Sequence, residues 1–543
     1  MATQKRQKDL FNEQYVPLAK KACEFLTNSP DPYHAVSNSI KKLKEAGFQQ
    51  IHYHLPFTAS NGGGGGNPKI VPGGKYYYHV HHSALVAFVV GGQVDTSTTT
   101  AAGKKPIGFH MIGGHTDSPN LKLKPNSKKA TSAGTCKTLG VQTYGGGLWH
   151  TWLDRDLSIS GKVLVKTAGK VEPKLVKLDD PIARVSSLCI HFQNSDERKA
   201  LPVNQETHTV PTIGNDFSNN EYFKQLLERG AEEQINATTN TDTAASTYST
   251  QDVWHKGQEP YLLQTIASEL NLDNVDQIVD WDLNLYDTQS ATIGGICNEF
   301  LYSARLDNLA TVFCAVESLV DYSSSSKNDA STDVSIIVAF DHEEVGSRSP
   351  EGAGSPIMQQ AIQRILSGLV VTEGSSPVSD DFYATCIERS FIMSVDQAHA
   401  IHPNYSVRHE SQHAPALNNG IVIKTNANQR YTTNSAVGGY FVRELGRLAN
   451  IPIQEFCVKN DCPCGSTIGP TLSAETGIRA VDAGMPQLSM HSCREVMGIA
   501  DCKYFHVKLG SSSFLFDGLR NSVDQLRFCF SFLTKTHCSN PWI

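Results

Sequence analysis

His115, Asp117, Asp307, Glu343, Glu344, Asp396 and His491 are the residue types that hold a pair of divalent cations. A two-metal site needs neutral imidazoles and carboxylates, one of the carboxylates able to bridge both ions. His115 and His491 can supply one imidazole to each ion. Asp307, within Ala304-Arg-Leu-Asp-Asn308, is the best bridging candidate, and Glu344 and Asp396 complete two ligand sets. One residue separates His115 from Asp117, whose carboxylate can hold the other ring nitrogen and fix the tautomer. Glu343 is left over beside a ligand, where it can take a proton from an attacking water and return it to a leaving amine. The chemistry implied is metal-dependent hydrolysis, and spacing alone does not choose its substrate. Taken singly the clusters have plainer readings, Asp307 as a helix cap and Asp396 as a turn residue at a strand end.

Residues so far apart can meet only if a sheet gathers them. The apolar runs Pro106–Ile112, Val334–Phe340, Phe391–Val395 and Gln487–Met490 read as buried strands that stop close to His115, Glu343, Asp396 and His491. In an open α/β sheet the carboxyl ends of the strands line the ligand crevice. Glu13 to Ala46 reads as helical, broken by Ser-Pro-Asp-Pro at 29–32 and stopped at Gly47. Ala310–Leu319 and Gln359–Leu366 also read as helices, and Tyr76–Val90 as a strand. From Ser127 to Leu263 the character changes to short alternating segments (Leu157, Ile159, Val163, Val165, then Leu188-Cys-Ile-His191). The Thr/Ser/Asn-rich stretch 236–250 reads as a loop or disorder. The expected fold is α/β: a mixed-sheet α/β/α catalytic domain formed by 1–126 and 264–543, interrupted by a β-rich domain at 127–263.

At 543 residues the chain is long enough for two domains. With 54 acidic against 47 basic residues and no basic block, a dedicated nucleic-acid binder is disfavoured. No run approaches the roughly 18 apolar residues of a membrane span. The polar start of the chain and an odd set of 13 cysteines predict free thiols and a cytoplasmic protein. In that setting the glycosylation patterns at Asn236 and Asn404 are expected to be idle. The glycine tract in 61–68 lacks the Lys-Ser/Thr of a phosphate loop, 96–105 reads as a polar hairpin loop, and Cys462-Pro-Cys464 lacks a second pair for a structural zinc.

Several ordered strings strongly resemble the aspartyl aminopeptidase family of dinuclear zinc exopeptidases. They include Gly114-His-Thr-Asp-Ser-Pro119, Tyr144-Gly-Gly-Gly147, Trp152-Leu-Asp-Arg-Asp156, Ala304–Asn308, Glu343-Glu-Val-Gly-Ser347, Asp396-Gln-Ala-His-Ala400, Cys464-Gly-Ser-Thr-Ile-Gly469 and Met490-His-Ser-Cys-Arg-Glu495. The resemblance implies metal ligands at His115, Asp307, Glu344, Asp396 and His491, with Glu343 as the base and two ions per subunit, zinc foremost. It further implies that the insert mediates dimerisation, that dimers build a tetrahedral dodecamer, and that His191 reaches a neighbouring subunit's site to stabilise the oxyanion. Lys424, His399 and Tyr431 are implied around the substrate, a peptide with a free amino-terminal Asp or Glu. Locally the chain departs from the family at the glycine tract, at His79-Val-His-His82 and at His342, where the family often has Asn. A different dinuclear amide hydrolase, such as a deacylase, is the alternative; an inactive scaffold is disfavoured because all these positions are intact.

Overall fold

The computed structural model describes residues 2–58, 66–96, 106–130, 135–216, 253–370, 378–433 and 436–506. The loop and disorder readings at 236–250, and nearly all of those at 61–68 and 96–105, lie outside these residues.

Strands Val334–Phe340, Phe109–His115, Phe391–Val395 and Arg479–Gly484 lie side by side and parallel at the centre of a nine-stranded mixed sheet. All of Val334–Phe340 and Phe391–Val395 is buried, as expected for strands covered on both faces. Period-two alternation sorts their side chains between two cores. Ile337, Ala339, Met393 and Val395 join the core under the helix Leu306–Ser323, whereas Ile336, Val338, Phe340 and Ile392 join the core under Ile357–Val370. Leu309, Val312, Phe313, Val316 and Leu319 of the first helix are all buried, each contributing roughly 1.5–3 kcal/mol by leaving water. Three layers result, the expected α/β/α arrangement.

A second, six-stranded sheet is antiparallel along its length, with order Lys170–Lys177, Leu157–Thr167, Ile278–Asp287, Asn120–Lys129, Cys136–Tyr144, Thr212–Asn215. Leu121, Ile159, Val163 and Leu285 pack there against Leu263 and Ile266 of the helix Pro260–Glu269. Strand pairing thus draws in Asn120–Lys129 and Ile278–Asp287, which reach past both edges of the 127–263 range.

Three local expectations are corrected. Tyr76–Val90 is a hairpin rather than one strand, because His81 and His82 take positive φ (47° and 71°) and turn the chain between Lys75–Val80 and Ala84–Val90. Leu188–His191 is no strand: Ile190–Phe192 forms a single 3-10 turn, and Leu188, Ile190 and Phe192 project outward without a ladder partner. Finally, the strand before His491 is only Pro486–Leu488, and it belongs to a separate five-stranded sheet with Ala398–His399 and Glu495–Gly498.

Candidate metal centre

Parallel pairing sets Phe340 level with His115, so the chain leaves both strands at the same height. His115 closes its strand, Glu343 and Glu344 follow in a short 3-10 turn, and Asp396 comes directly after Val395. Asp307 enters from the start of the helix Leu306–Ser323, where its own φ and ψ (−82°, 106°) are non-helical and aim the carboxylate away from the helix. His491, at positive φ (65°), enters from the tight turn after Pro486–Leu488.

The side chains converge. Asp307 sits between the two imidazoles, with Oδ1 3.4 Å from His115 Nε2 and Oδ2 3.5 Å from His491 Nε2. Asp396 Oδ1 lies 3.5 Å from His115 Nε2, and Glu344 Oε1 lies 3.4 Å from His491 Nε2. Three ligand-sized groups follow, His115-Asp307-Asp396, Asp307-Glu344-His491 and His115-Glu343-Glu344, the first two sharing the one aspartate. Glu343 Oε2 stands 3.9 Å from His115 Nε2, beside those two. The five residues expected as ligands and the expected base are therefore brought together.

Asp117 lies under the cluster rather than in it. Its carboxylate accepts the backbone N–H of Glu343 and of Glu344, both at 3.0 Å, and the Tyr144 hydroxyl at 2.7 Å. His115 Nδ1 is 3.0 Å from the Asp117 carbonyl and 3.3 Å from its Oδ1, an outer contact that turns Nε2 toward the cluster.

The cluster fits divalent cations on its own chemistry. Asp307 Oδ1 and Glu344 Oε1 are buried and accept no hydrogen bond, a costly state for acceptors without a counter-charge. Burial pushes the Glu343 carboxyl up to about 8, with Asp396, Asp117 and Asp307 reinforcing it and His115 opposing. Burial works against a charged His491, yet Asp307 and Glu344 outweigh it and hold that imidazole up to about 10. The set demands positive charge, and two divalent ions supply it while leaving both imidazoles neutral.

The cleft above the cluster is lined by Asp307, Glu343, Glu344, Asp396 and His491, and also by His399, Lys424 and Tyr431. Lys424 is buried; its Nζ donates to Asp396 Oδ2 at 3.2 Å and to the Gln397 carbonyl at 3.0 Å, and lies 4.9 Å from the Tyr431 ring centroid. Two of its three N–H donors are thereby taken. His399 is exposed to the cleft, its ring against Phe456. His191 is not part of this lining: it sits on the exposed Ile190–Phe192 turn.

Residue-type reasoning passes over Glu495. Only 2 % exposed, it accepts the backbone N–H of Asp307 on Oε2 at 3.1 Å and that of His491 on Oε1 at 2.8 Å. One carboxylate thereby anchors the main chain of the shared aspartate and of a terminal imidazole. Its one sequence signal is its place at the end of Met490–Glu495.

A mixed sheet whose strand ends and flanking turns deliver two carboxylate–imidazole sets around a shared aspartate defines a dinuclear metallohydrolase. Residues 25–514 match the family described as aminopeptidase I zinc metalloprotease (M18), and the chain belongs to that family. A probable aspartyl aminopeptidase of Ricinus communis is 40% identical over 488 residues, covering 88% of this chain and 91% of the relative. Among solved structures, one described as the cryo-EM structure of the Ape4 and Nbr1 complex superposes with a TM-score of 0.78 at 36% identity, covering 93% of this chain and 87% of that one. A structure of the S. cerevisiae mApe1 dodecamer superposes with a TM-score of 0.71 at 25% identity, covering 92% and 98%. The protein is a zinc-family metallo-aminopeptidase with a dinuclear site. Among the described residues no helix is long and apolar enough to cross a membrane.

Proposed function

We propose that this aminopeptidase removes an unblocked amino-terminal Asp or Glu from peptides, with the ligands and Glu343 in the roles their geometry suggests. The carrying observation is that one cleft holds both the metal cluster and a buried lysine. His115 and Asp396 would hold one ion, Glu344 and His491 the other, and Asp307 both. Bound there, the ions supply Lewis acidity that makes water a competent nucleophile near neutral pH. Glu343, fixed through its backbone to Asp117, accepts the water proton and returns it to the leaving amine. Lys424, with Tyr431 and His399 beside it, faces the acidic side chain of the substrate.

The relatives' description as aspartyl aminopeptidases supports this substrate class, and the dodecameric relative supports a twelve-subunit assembly. In such an assembly the exposed turn carrying His191 would reach a neighbour's cleft and donate to the developing oxyanion. The described cysteines are all free thiols, in keeping with a cytoplasmic location.

Peptides beginning with Asp, Glu, Leu and acetyl-Asp test the reading. The first two should be cleaved and the last refused; cleavage of acetyl-Asp in preference would assign a deacylase. Lys424→Ala should reduce kcat/KM by roughly tenfold or more on Asp-peptides and far less on Leu-peptides. Metal content must be measured in parallel, because Lys424 also contacts Asp396. Equal losses on both substrates at full metal occupancy would remove Lys424 from recognition.

A further inference from the structure

One wall of the cleft is built by Tyr431 together with Gly465, Ser466 and Thr467. These residues sit in irregular segments that have no strand or helix ladder of their own. Both segments are hung on one carboxylate. Asp482 is fully buried in the strand Arg479–Gly484, where pairing sets it level with Ser394 of the strand that leads to Asp396. Its Oδ1 accepts the hydroxyls of Ser394 (2.5 Å) and Thr467 (2.6 Å). Its Oδ2 accepts the backbone N–H of Thr432 (2.6 Å) and the Thr432 hydroxyl (2.7 Å). The main chain adds to the tie, since Asp482 N–H donates to Thr433 Oγ1 at 2.9 Å. A Cβ at Gly469 would lie 2.4 Å from Asp482 Oδ2, so the helix Ile468–Thr476 can start this close to the carboxylate only with glycine there.

We propose that Asp482 is a specificity-positioning residue: by joining the Tyr431 segment, the Ser466-Thr467 segment and the Asp396 strand, it fixes the space that receives the substrate's first side chain. The proposal rests on the reading of this cleft as the seat of an acidic amino-terminal residue. Asp482 itself touches no substrate.

The partner chemistry makes the idea testable. Of the four donors on the carboxylate, three are hydroxyls, which can rotate to accept, and only the Thr432 N–H cannot. In Asp482→Asn the amide oxygen can stay on Thr432 while the NH2 donates to Ser394 and Thr467. In Asp482→Ala all four donors lose their acceptor and the wall is released.

The experiment compares the zinc-loaded full chain with both variants on Glu- and Leu-peptides, recording kcat, KM and metal content. For Asp482→Ala we expect KM on the wild type's best substrate to rise about tenfold or more, with kcat within about threefold and two ions retained. The Glu-over-Leu preference should fall with it, and Asp482→Asn should stay within about threefold of wild type in every measure. Unchanged KM in Asp482→Ala, a loss confined to kcat or to metal, or an Asn variant as impaired as the Ala variant would overturn the proposal. If Asp482→Ala does not fold, Thr432→Val, which deletes one hydroxyl donor, decides: a KM raised about threefold or more at unchanged kcat supports it and an unchanged KM overturns it. A wild type that shows no preference for acidic residues would overturn the substrate reading alone, since Asp482 would still be judged by KM on the preferred peptide.

Discussion

Replacing Glu495 should loosen the metal centre without touching a ligand. Its two oxygens accept the backbone N–H groups of Asp307 and His491, and Oε1 also takes the Gln487 side-chain amide at 3.4 Å. A main-chain N–H cannot reverse its role, so Gln is no conservative substitute here: its amide NH2 must face one of the two donors. Glu495→Gln therefore forfeits one hydrogen bond and sets donor against donor, while Glu495→Ala strands both. Leaving a buried donor unpaired costs about 1–3 kcal/mol, so Ala should cost about 2–6 kcal/mol and Gln about half of that. The loss divides between the stability of the metal-free protein and the holding of the ligands; outer contacts of this kind are worth about 10–100-fold in metal affinity. Competition with a chelator gives the affinity, and denaturant unfolding of the metal-free protein gives the stability. Wild-type values for both in Glu495→Ala would refute the reasoning, and so would a Gln variant indistinguishable from wild type.

Glu343→Gln should keep both ions and lose about 10²–10⁴-fold in kcat, whereas Glu344→Gln should lose metal first; the reverse pattern in metal analysis would exchange their roles. Mixing inactive His191→Phe with inactive Glu343→Gln under subunit exchange should restore activity, and proven exchange without recovery would exclude a shared site. The His79 imidazole is pushed down to about 4 by burial, with His82, His52 and His81 adding repulsion. Its unfolded value is near 6.5, so the stability it withholds from the charged form is intact above pH 6.5 and lost as pH falls toward 4. His79→Phe, which preserves ring packing on His82, should flatten the acid limb of a stability–pH profile; a limb of unchanged slope would clear His79 of that role.

Strand-end logic made His115, Glu343, Glu344 and Asp396 legible, because buried apolar runs declare themselves and chemistry gathers where they stop. Asp307 was readable by type, but its aim depends on non-helical backbone at the helix start that no periodicity reports. His491 is readable by type, but the strand before it lies in another sheet and a tight turn carries it across. Lys424 is implied only by resemblance as a partner for an acidic side chain, and its contacts to Asp396 and the Gln397 carbonyl leave no trace in the sequence. Glu495 and Asp482 are not legible in the sequence because their partners are backbone groups and hydroxyls, whose geometry no motif reports and most of which come from segments distant in sequence. The segment Leu188–Phe192 has strand-like composition and no ladder partner, so local propensity had nothing to act on.

The parallel pairing of Phe109–His115 with Val334–Phe340 and Phe391–Val395 also has a consequence for folding. The strands come from distant parts of the chain, and closing such separations is slow compared with forming local helices or hairpins. The set His115-Asp307-Asp396 does not exist until that pairing is complete, and Asp307-Glu344-His491 further needs the five-stranded sheet in place, so zinc is not expected to nucleate this protein in the way it nucleates a small zinc finger. The ions should arrive last, on a sheet already assembled, and a chelator should then strip activity long before it unfolds the chain.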